Sequence, residues 1–194
     1  MAAAPDQPIS LALRTEAGAK RSPQPSPLET EVVNLFDQLR ERVLRYLLSL
    51  GVPVSDGEEI VQEVFLALFE HLRQGRSREN LRGWVFSVAH NLGLKRRQRM
   101  WRDGRSLNTT AEAQAVQLLA DPSPDPEVQA ASRQKQRRLR AVVEVLPEQD
   151  RQCLFLRAEG LRYREIATVL DVSLGTVASS LAKSLARLAR AAER

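Results

Sequence analysis

A run of cations lies between positions 95 and 105, opposed within that stretch by Asp103 alone. The cations are Lys95, Arg96, Arg97, Arg99, Arg102 and Arg105. Cationic side chains on consecutive turns of a helix can follow the phosphates of a nucleic acid. A helix end that only balances its own dipole would need fewer of them. The cluster therefore predicts a polyanion-binding surface, near which we expect Trp84 in the core and Trp101 free to stack on an exposed base.

An acidic and amide-bearing row precedes this cluster and has the opposite chemistry. Its members are Asp56, Glu58, Glu59, Gln62 and Glu63. Carboxylates at these positions would repel DNA and attract a basic protein surface, so the row predicts a protein partner. Acids near a helix N-terminus are also favoured by the helix dipole alone. The two interpretations are compatible.

A third polar set lies near the C-terminus, where two short apolar-periodic segments flank the turn Asp171-Val172-Ser173. This pattern predicts a helix-turn-helix, whose second helix presents its N-terminal residues to base edges in the major groove. Ala167 allows a close crossing of the first helix, and Ser173 can cap the second. The exposed face of the second helix should carry Thr176, Ser179, Ser180 and Lys183. Two short helices joined by a turn also occur in bundles that never touch DNA.

Residues suited to catalysis are scarce. His71 and His90 are the only histidines, no carboxylate cluster has metal-ligand spacing, and no glycine-rich phosphate loop precedes a helix. We therefore expect no enzyme, no metal and no cofactor. Cys153 is the single cysteine, which excludes an intramolecular disulfide, and its apolar neighbours indicate a buried, inert thiol.

The composition favours small helical modules. Hydrophobic residues make up 43% and aromatic residues 5% of the chain, and Leu, Val and Ala dominate the apolar set. A formal charge of +5 suits a polyanionic partner, although many ordinary proteins are also basic. Residues 1–28 contain no apolar stretch long enough for a signal peptide or a membrane span. We expect a disordered leader there and a cytoplasmic protein with no membrane insertion.

Apolar residues at helical spacing predict the elements that position these groups. A first helix should run from Glu29 to Leu50, a second should open with a capping box at Ser55 and Glu58, and a third should follow Asn80 as its cap. We expect these three to form one domain over residues 29–102. Alternating prolines in residues 121–126 indicate a flexible linker over 103–131, which we interpret as a spacer rather than a regulatory segment. Helices should resume near Ser132 and form a second domain over 132–194, with a stop at Gly160.

Three segments together resemble a known family. The run Ser55-Asp56-Gly57-Glu58-Glu59-Ile60-Val61-Gln62-Glu63-Val64-Phe65 resembles the segment with which sigma factors of the sigma-70 family dock on the RNA polymerase clamp. Residues 81–92 look like the following helix of sigma region 2, which helps to recognise and melt the −10 promoter element. The block from Leu146-Pro147-Glu148 to Gly175-Thr176-Val177 is similar to sigma region 4, which reads the −35 element. Two regions and no others imply the extracytoplasmic-function (ECF) group.

The resemblance implies an all-α sigma factor of two small helical domains. It would bind core RNA polymerase and promoter DNA, open the strands, start transcription at a specific regulon, and be held by an anti-sigma factor. The polymerase-binding residues would be Asp56, Glu58, Glu59, Gln62, Glu63 and Phe65. The −10 and melting residues would be Arg76, Arg78, Asn80, Trp84, His90, Asn91, Lys95, Arg96, Arg97 and Arg99, with the loop Gln74–Asn80 capturing an unstacked base. The −35 residues would be Arg162, Arg164, Ser173, Thr176, Ser179, Ser180, Lys183 and Arg187.

Some positions depart from the family pattern. Ala178 and Ser180 occupy places where members often carry a basic residue, and Asp171 stands where glycine is common. Phosphate contacts by the recognition helix should therefore be weak, and affinity should depend on the flanking cations or on the holoenzyme. A stand-alone helix-turn-helix regulator is the alternative function. The acidic row and the Trp84 helix argue against it, because a repressor needs neither.

Overall fold

The computed structural model describes residues 26–103 and 126–193, and within these ranges it contains helices and no strand. The helices are α1 (Pro27–Ser49), α2 (Val54–Arg73), α3 (Leu81–Arg102), α4 (Pro126–Glu144), α5 (Glu148–Ala158), α6 (Tyr163–Leu170) and α7 (Leu174–Ala192). We refer to α1–α3 as the N-terminal module and to α4–α7 as the C-terminal module. The expected all-α fold is confirmed. Most of the expected leader and linker lie outside the described residues.

Two helices begin earlier than their apolar patterns indicate. Ser26 caps α1 in a capping box, because its hydroxyl accepts from the Glu29 amide at 3.2 Å while its own amide donates to Glu29 Oε2 at 2.6 Å. Pro27 then fills the first helical position, where a missing N–H costs nothing. Helix α4 begins at Pro126, ahead of the expected start near Ser132.

Of the three helix caps predicted from the sequence, two are confirmed and one is wrong. Asn80 caps α3 as predicted, accepting from the Gly83 amide at 3.2 Å, and Ser173 caps α7, accepting from the Thr176 amide at 3.0 Å. The capping box predicted at Ser55 and Glu58 is wrong. Helix α2 begins at Val54 after the extended residue Pro53, and no side chain caps it. Ser55 therefore lies inside the first turn.

The N-terminal module is a three-helix bundle, as expected. Its core contains the fully buried side chains Tyr46, Leu47, Ile60, Leu68 and Phe86. Gly51, at a φ of 85°, lies in the turn that follows α1, which is a backbone conformation that glycine adopts without strain.

The C-terminal module buries Cys153, Leu156, Ile166, Val177 and Leu181. Helices α6 and α7 form the predicted helix-turn-helix, and their axes differ by 107°. Asp171 adopts the left-handed conformation between them, at a φ of 52°. No single described helix is long and apolar enough to cross a membrane, and only the bent pair α6 and α7 passes that test when taken together.

The two modules pack against each other, which the sequence did not predict. Helix α6 lies against α3, and α5 lies against α1. The buried side chains of both modules form one continuous apolar cluster that extends from Phe86 and Ala89 to Cys153, Leu161 and Ile166. The arrangement brings the predicted −10 helix next to the scaffold helix of the helix-turn-helix.

Candidate polymerase and promoter surfaces

The acidic row forms an exposed ridge on α2. Glu58, Glu59, Gln62 and Glu63 are exposed, and Asp56 is partly buried. Leu66 adds an apolar side chain that is 65% exposed. A groove of about 380 Å³ runs beside the ridge and is lined by Phe36, Arg40, Glu41, Leu44, Glu58, Val61 and Gln62. An acidic ridge next to a partly apolar groove can receive a basic, amphipathic protein surface.

Phe65 is not part of this exposed ridge. Its side chain is buried and meets Phe36 edge-on, with ring centroids 5.0 Å apart. Such aromatic pairs stabilise a core beyond their buried area. In this conformation Phe65 packs in the core beneath the ridge, and its side chain is not accessible for the expected contact with polymerase.

Arg96 joins the acidic row to α3. Its guanidinium lies 2.8 Å from Asp56 Oδ1, 3.1 Å from Glu59 Oε2 and 4.0 Å from Glu63 Oε1. Burial opposes the charge on Arg96, but the hydrogen bonds and charges of Glu59 and Asp56 outweigh it and raise its pKa. The structure therefore places Arg96 with the acidic row, whereas the sequence placed it on the DNA-binding face.

The other residues of α3 that could contact nucleic acid divide into two groups. Lys95, Arg99 and Asn91 are exposed, and Trp101 is 65% exposed beside a groove of about 590 Å³. Arg97 is different, because it donates to Glu148 of the C-terminal module and, at 3.3 Å, to the Leu50 carbonyl. The exposed residues can bind phosphates of a nucleic acid, whereas Arg97 is already paired with the Glu148 carboxylate.

His90 is buried, although the sequence placed it on the −10 surface. It is 7% exposed, and its Nδ1 is hydrogen bonded to the hydroxyl of Tyr46 at 2.8 Å. Burial and the nearby Arg97 guanidinium lower the pKa of His90. The imidazole is therefore neutral and hydrogen bonded to Tyr46, so His90 is a core residue in this conformation.

The loop between α2 and α3 holds the other predicted −10 residues. Arg76, Arg78 and Asn80 are exposed there, and Arg78 lies 3.3 Å from Glu31 of α1. His71 Nε2 donates to the Ser77 carbonyl at 2.8 Å and fixes the loop to α2. Trp84, which was predicted both in the core and among the −10 residues, is half-buried against His71. The loop is open to solvent at one end of the N-terminal module.

The helix-turn-helix presents most of its predicted DNA-binding residues. Arg162, Arg164, Ser173, Ser179, Lys183 and Arg187 are exposed, and Thr176 is partly buried. Ser180 is the exception, being 6% exposed and hydrogen bonded to Cys153. Burial raises the pKa of the Cys153 thiol, which agrees with the expected inert cysteine. Ser180 therefore faces α5 rather than DNA.

One set of polar contacts between the two modules was not predicted from the sequence. Arg42, Arg45 and Arg82 of the N-terminal module, the arginine triplet, surround the C-terminal end of α5 around Glu159. These residues are more than 70 positions apart from their partners, and nothing local in the sequence marks them.

Two family models match the chain, Sigma-70 region 2 over residues 35–103 and Sigma-70, region 4 over residues 136–188. The RNA polymerase sigma factor NccH of Alcaligenes xylosoxydans xylosoxydans is 30% identical over 159 residues, which cover 79% of this chain and 84% of NccH. The chain belongs to the sigma-70 family of RNA polymerase sigma factors. The ECF sigma-E factor of Escherichia coli K12 is 29% identical over 158 residues, covering 79% of the chain and 82% of sigma-E. The ECF group inferred from the motifs is thereby confirmed.

Other comparisons agree on the fold of this ECF sigma factor. The probable sigma factor RfaY of Xanthomonas campestris pv. campestris is 29% identical over 143 residues, covering 72% of the chain but 34% of RfaY. The solved structure of CnrH in complex with the cytosolic domain of CnrY superimposes with a TM-score of 0.55 at 19% identity, covering 83% of this chain and 86% of CnrH.

Proposed function

We propose that this ECF sigma factor binds core RNA polymerase, recognises the −10 and −35 elements of a specific set of promoters, opens the strands and directs transcription initiation in the cytoplasm. It would act as a regulatory subunit rather than as a catalyst. The observation that carries the proposal is the exposed acidic ridge on α2, in a chain that carries sigma regions 2 and 4 in order.

The polymerase contact is proposed for the outward side of α2. Glu58, Glu59, Gln62 and Glu63 point to solvent, whereas the opposite side of the helix is buried in the bundle. Arg96 holds Asp56 and Glu59 at hydrogen-bond distance, so part of the ridge is pre-organised. A rigid acidic ridge loses little side-chain entropy when a basic surface binds.

The −10 contact is proposed for the loop Gln74–Asn80 and the exposed side of α3. Arg76 and Asn80 would hold an unstacked base, and Asn91, Lys95 and Arg99 would follow the strand backbone. Trp101 would supply a stacking surface, since every base has a π-face. Arg97 would join this surface once it leaves Glu148.

The −35 contact is proposed for α7 and the start of α6. Thr176 and Ser179 lie in the first turns of α7, where a recognition helix meets base edges. Arg162, Arg164, Lys183 and Arg187 would bind phosphates on either side. Ser180 has no part in this contact, because it is buried.

An anti-sigma factor is proposed as a further partner. The sigma factor RpoE of Bartonella quintana, which has the same fold, has been solved in complex with the anti-sigma factor NepR. The functional division into residues 29–102 and 132–194, with 1–28 as leader and 103–131 as connection, is proposed from the two family matches. Helices α1 and α4 begin two and six residues before these bounds, at Pro27 and Pro126.

Run-off transcription with core polymerase tests the proposal on a library of promoter fragments. The wild-type chain should produce defined start sites that core polymerase alone does not produce. The variant Gln62→Ala, Glu63→Ala should lose them at least about tenfold, because it removes the centre of the ridge. A matched control, Glu144→Ala, Gln149→Ala, removes two exposed residues of the C-terminal module and should behave as wild type.

Two results would contradict the proposal. Start sites that survive the ridge variant would move the polymerase contact away from α2. The absence of polymerase-dependent transcripts, combined with tight duplex binding by the free protein, would instead favour a stand-alone helix-turn-helix regulator.

A further inference from the structure

We infer that His71 is a positioning residue for promoter recognition: its imidazole holds the loop Gln74–Asn80 in the conformation that presents its side chains to an unstacked base of the −10 element. This inference rests on the proposed −10 contact of that loop and deepens it. It gives His71, near the end of α2, a role that acts through the loop rather than through a contact of its own with DNA.

The loop leaves α2 through backbone hydrogen bonds, one of which ends on His71. The Gly75 amide donates to the Leu72 carbonyl at 3.0 Å, and the Arg76 amide donates to the His71 carbonyl at 3.2 Å. Gly75 has a φ of 69°, which glycine adopts without strain. These bonds form a Schellman motif, which sets the direction in which the chain leaves a helix. The backbone of Arg76 therefore has a defined position.

The side chain of His71 holds the next residue of the loop. Its Nε2 donates to the Ser77 carbonyl at 2.8 Å. The Ser77 hydroxyl in turn accepts from the Glu79 amide at 3.1 Å. Ser77 is thus tied to α2 by its carbonyl, while its hydroxyl orders the second half of the loop. His71 uses both its carbonyl and its ring to hold consecutive residues of the loop.

Trp84 of α3 orients the imidazole. The two ring centroids are 4.7 Å apart, with 43° between the ring planes, and both side chains are partly buried. A rotamer that is fixed by packing can hold a neighbouring group within the narrow tolerance that recognition requires. The loop is therefore positioned relative to α3, which carries the rest of the proposed −10 surface.

The far end of the loop is anchored independently of His71. Asn80 adopts the left-handed conformation and caps α3 by accepting from the Gly83 amide. The Arg78 side chain also lies 3.3 Å from Glu31 of α1, but an ion pair as exposed as this one adds little. With the far end held by the cap, the conformation of the loop around Ser77 depends on His71.

The position of the loop should affect base preference more than overall affinity. Arg76 and Glu79 are exposed on either side of Ser77. Contacts to phosphates attract a strand without reading its sequence, whereas hydrogen bonds to base edges carry the specificity. A displaced loop would keep its charge and still attract the strand, but its donors and acceptors would no longer match one base. Loss of the His71 contact should therefore relax discrimination between bases.

Run-off transcription tests the inference on promoters that carry each of the four bases at every position of the −10 and −35 elements. Base discrimination is the ratio of transcript from the best base to transcript from the worst base at one position. His71→Leu removes the donor but keeps an apolar side chain beside Trp84. It should lower discrimination at one −10 position by about two- to tenfold, the effect of one net hydrogen bond. Discrimination within the −35 element should not change.

Three further variants separate positioning from general damage. His71→Gln should keep discrimination within about twofold of wild type, because its side-chain amide can donate to the same carbonyl. Glu70→Gln is the matched control on the same turn, since its side chain pairs with Arg73 at 2.7 Å rather than with the loop, and it should behave as wild type. Gly75→Ala adds a Cβ that meets nothing within 4 Å but strains the backbone at a φ of 69°. It should lower discrimination at the same −10 position as His71→Leu.

Amide hydrogen exchange of the free chain measures the positioning without polymerase. The amides of Arg76 and Glu79 should exchange about two- to tenfold faster in His71→Leu than in wild type, because opening of the loop becomes easier. His71→Gln and Glu70→Gln should keep the wild-type rates. Helical content by circular dichroism should be the same in all four variants and in wild type.

The inference is overturned if His71→Leu keeps wild-type discrimination at every −10 position, or if His71→Gln loses as much as His71→Leu. It is also overturned if discrimination falls equally in the −10 and −35 elements, because that result indicates damage to the whole fold. Absence of transcripts with the wild-type chain would instead contradict the proposed function, and the exchange rates would still decide whether His71 holds the loop.

Discussion

At the scale of single residues, His90 shows how the core controls a charge. Its imidazole is buried away from water, is hydrogen bonded through Nδ1 to the Tyr46 hydroxyl and lies near Arg97. Burial and the Arg97 charge lower its pKa below the ordinary 6.5. A protonated His90 would have a donor on each nitrogen, so Nδ1 could only donate to Tyr46. The fold therefore selects the neutral form.

This selection predicts a loss of stability in acid. Since the pKa is lower in the folded chain than in the unfolded chain, the unfolded chain binds more protons below pH 6.5. The free energy of unfolding should therefore fall as the pH is lowered from about 7.5 to about 5.5. Urea denaturation across this pH range should show that the free energy of unfolding decreases less in His90→Gln than in wild type.

A companion variant separates burial from hydrogen bonding. Tyr46→Phe removes the hydroxyl but leaves His90 buried, so it should cost about 1 kcal/mol at neutral pH and keep most of the pH dependence. For the His90→Gln prediction, an equal pH dependence of the unfolding free energy in wild type and variant would show that another titrating group causes the loss of stability in acid.

Single residues also show where sequence reasoning succeeds. Cys153 was expected to be buried because its neighbours are apolar, and that local signal was sufficient. Ser180 and Phe65 were placed on surfaces because their neighbours along the helix are polar or fit a motif. Contacts with Cys153 and Phe36, from other helices, determine where these two side chains lie.

At the scale of elements, the start of α3 depends on one unusual residue. Asn80 has a φ of 52° and caps the Gly83 amide. Asparagine tolerates this left-handed conformation better than most residues, and glycine tolerates it best. A Cβ at Gly83 would lie 2.3 Å from Asn80 Nδ2, so the cap also requires glycine at that place.

Two substitutions at Asn80 should therefore differ. Asn80→Ala loses the cap and strains the backbone, which should cost about 2 kcal/mol of unfolding free energy. Asn80→Gly loses the cap but relieves the strain, so it should cost only a few tenths of a kcal/mol, by the same principle of capping. Chemical denaturation of the full chain measures both, and equal costs would show that the left-handed conformation is not strained.

Elements were predictable where their signals are local. Asn80, Ser173 and Gly160 act through backbone geometry within a few residues, and each was found where the sequence placed it. Ser55 failed because Pro53 had already set the start of α2. The pairing of Arg96 with the acidic row could not be foreseen, because it depends on how α2 and α3 pack.

At the scale of the whole molecule, the continuous apolar cluster should couple the unfolding of the two modules. Both tryptophans, Trp84 and Trp101, lie in α3, so tryptophan fluorescence reports mainly on the N-terminal module. Circular dichroism reports on the helices of both modules. In wild type the two probes should give coincident urea midpoints, as expected for one cooperative transition. In Glu159→Gln the midpoints should separate.

Separate midpoints already in wild type would contradict this coupling. The sequence could not reveal it, because Arg45 and Glu159 are separated by 114 positions and each resembles an ordinary charged helix residue. Apolar periodicity indicates which face of a helix is buried, but not which of several apolar faces will cover it.

The connection between the modules, residues 104–125, has a thermodynamic consequence for the contact at Glu159. Two surfaces joined in one chain meet at an effective concentration that does not depend on the concentration of the protein. An interface too weak to hold two separate proteins together can therefore stay formed within one chain. Dilution does not loosen it, and a competitor must supply its own acidic group to Arg42, Arg45 and Arg82 at a comparable local concentration.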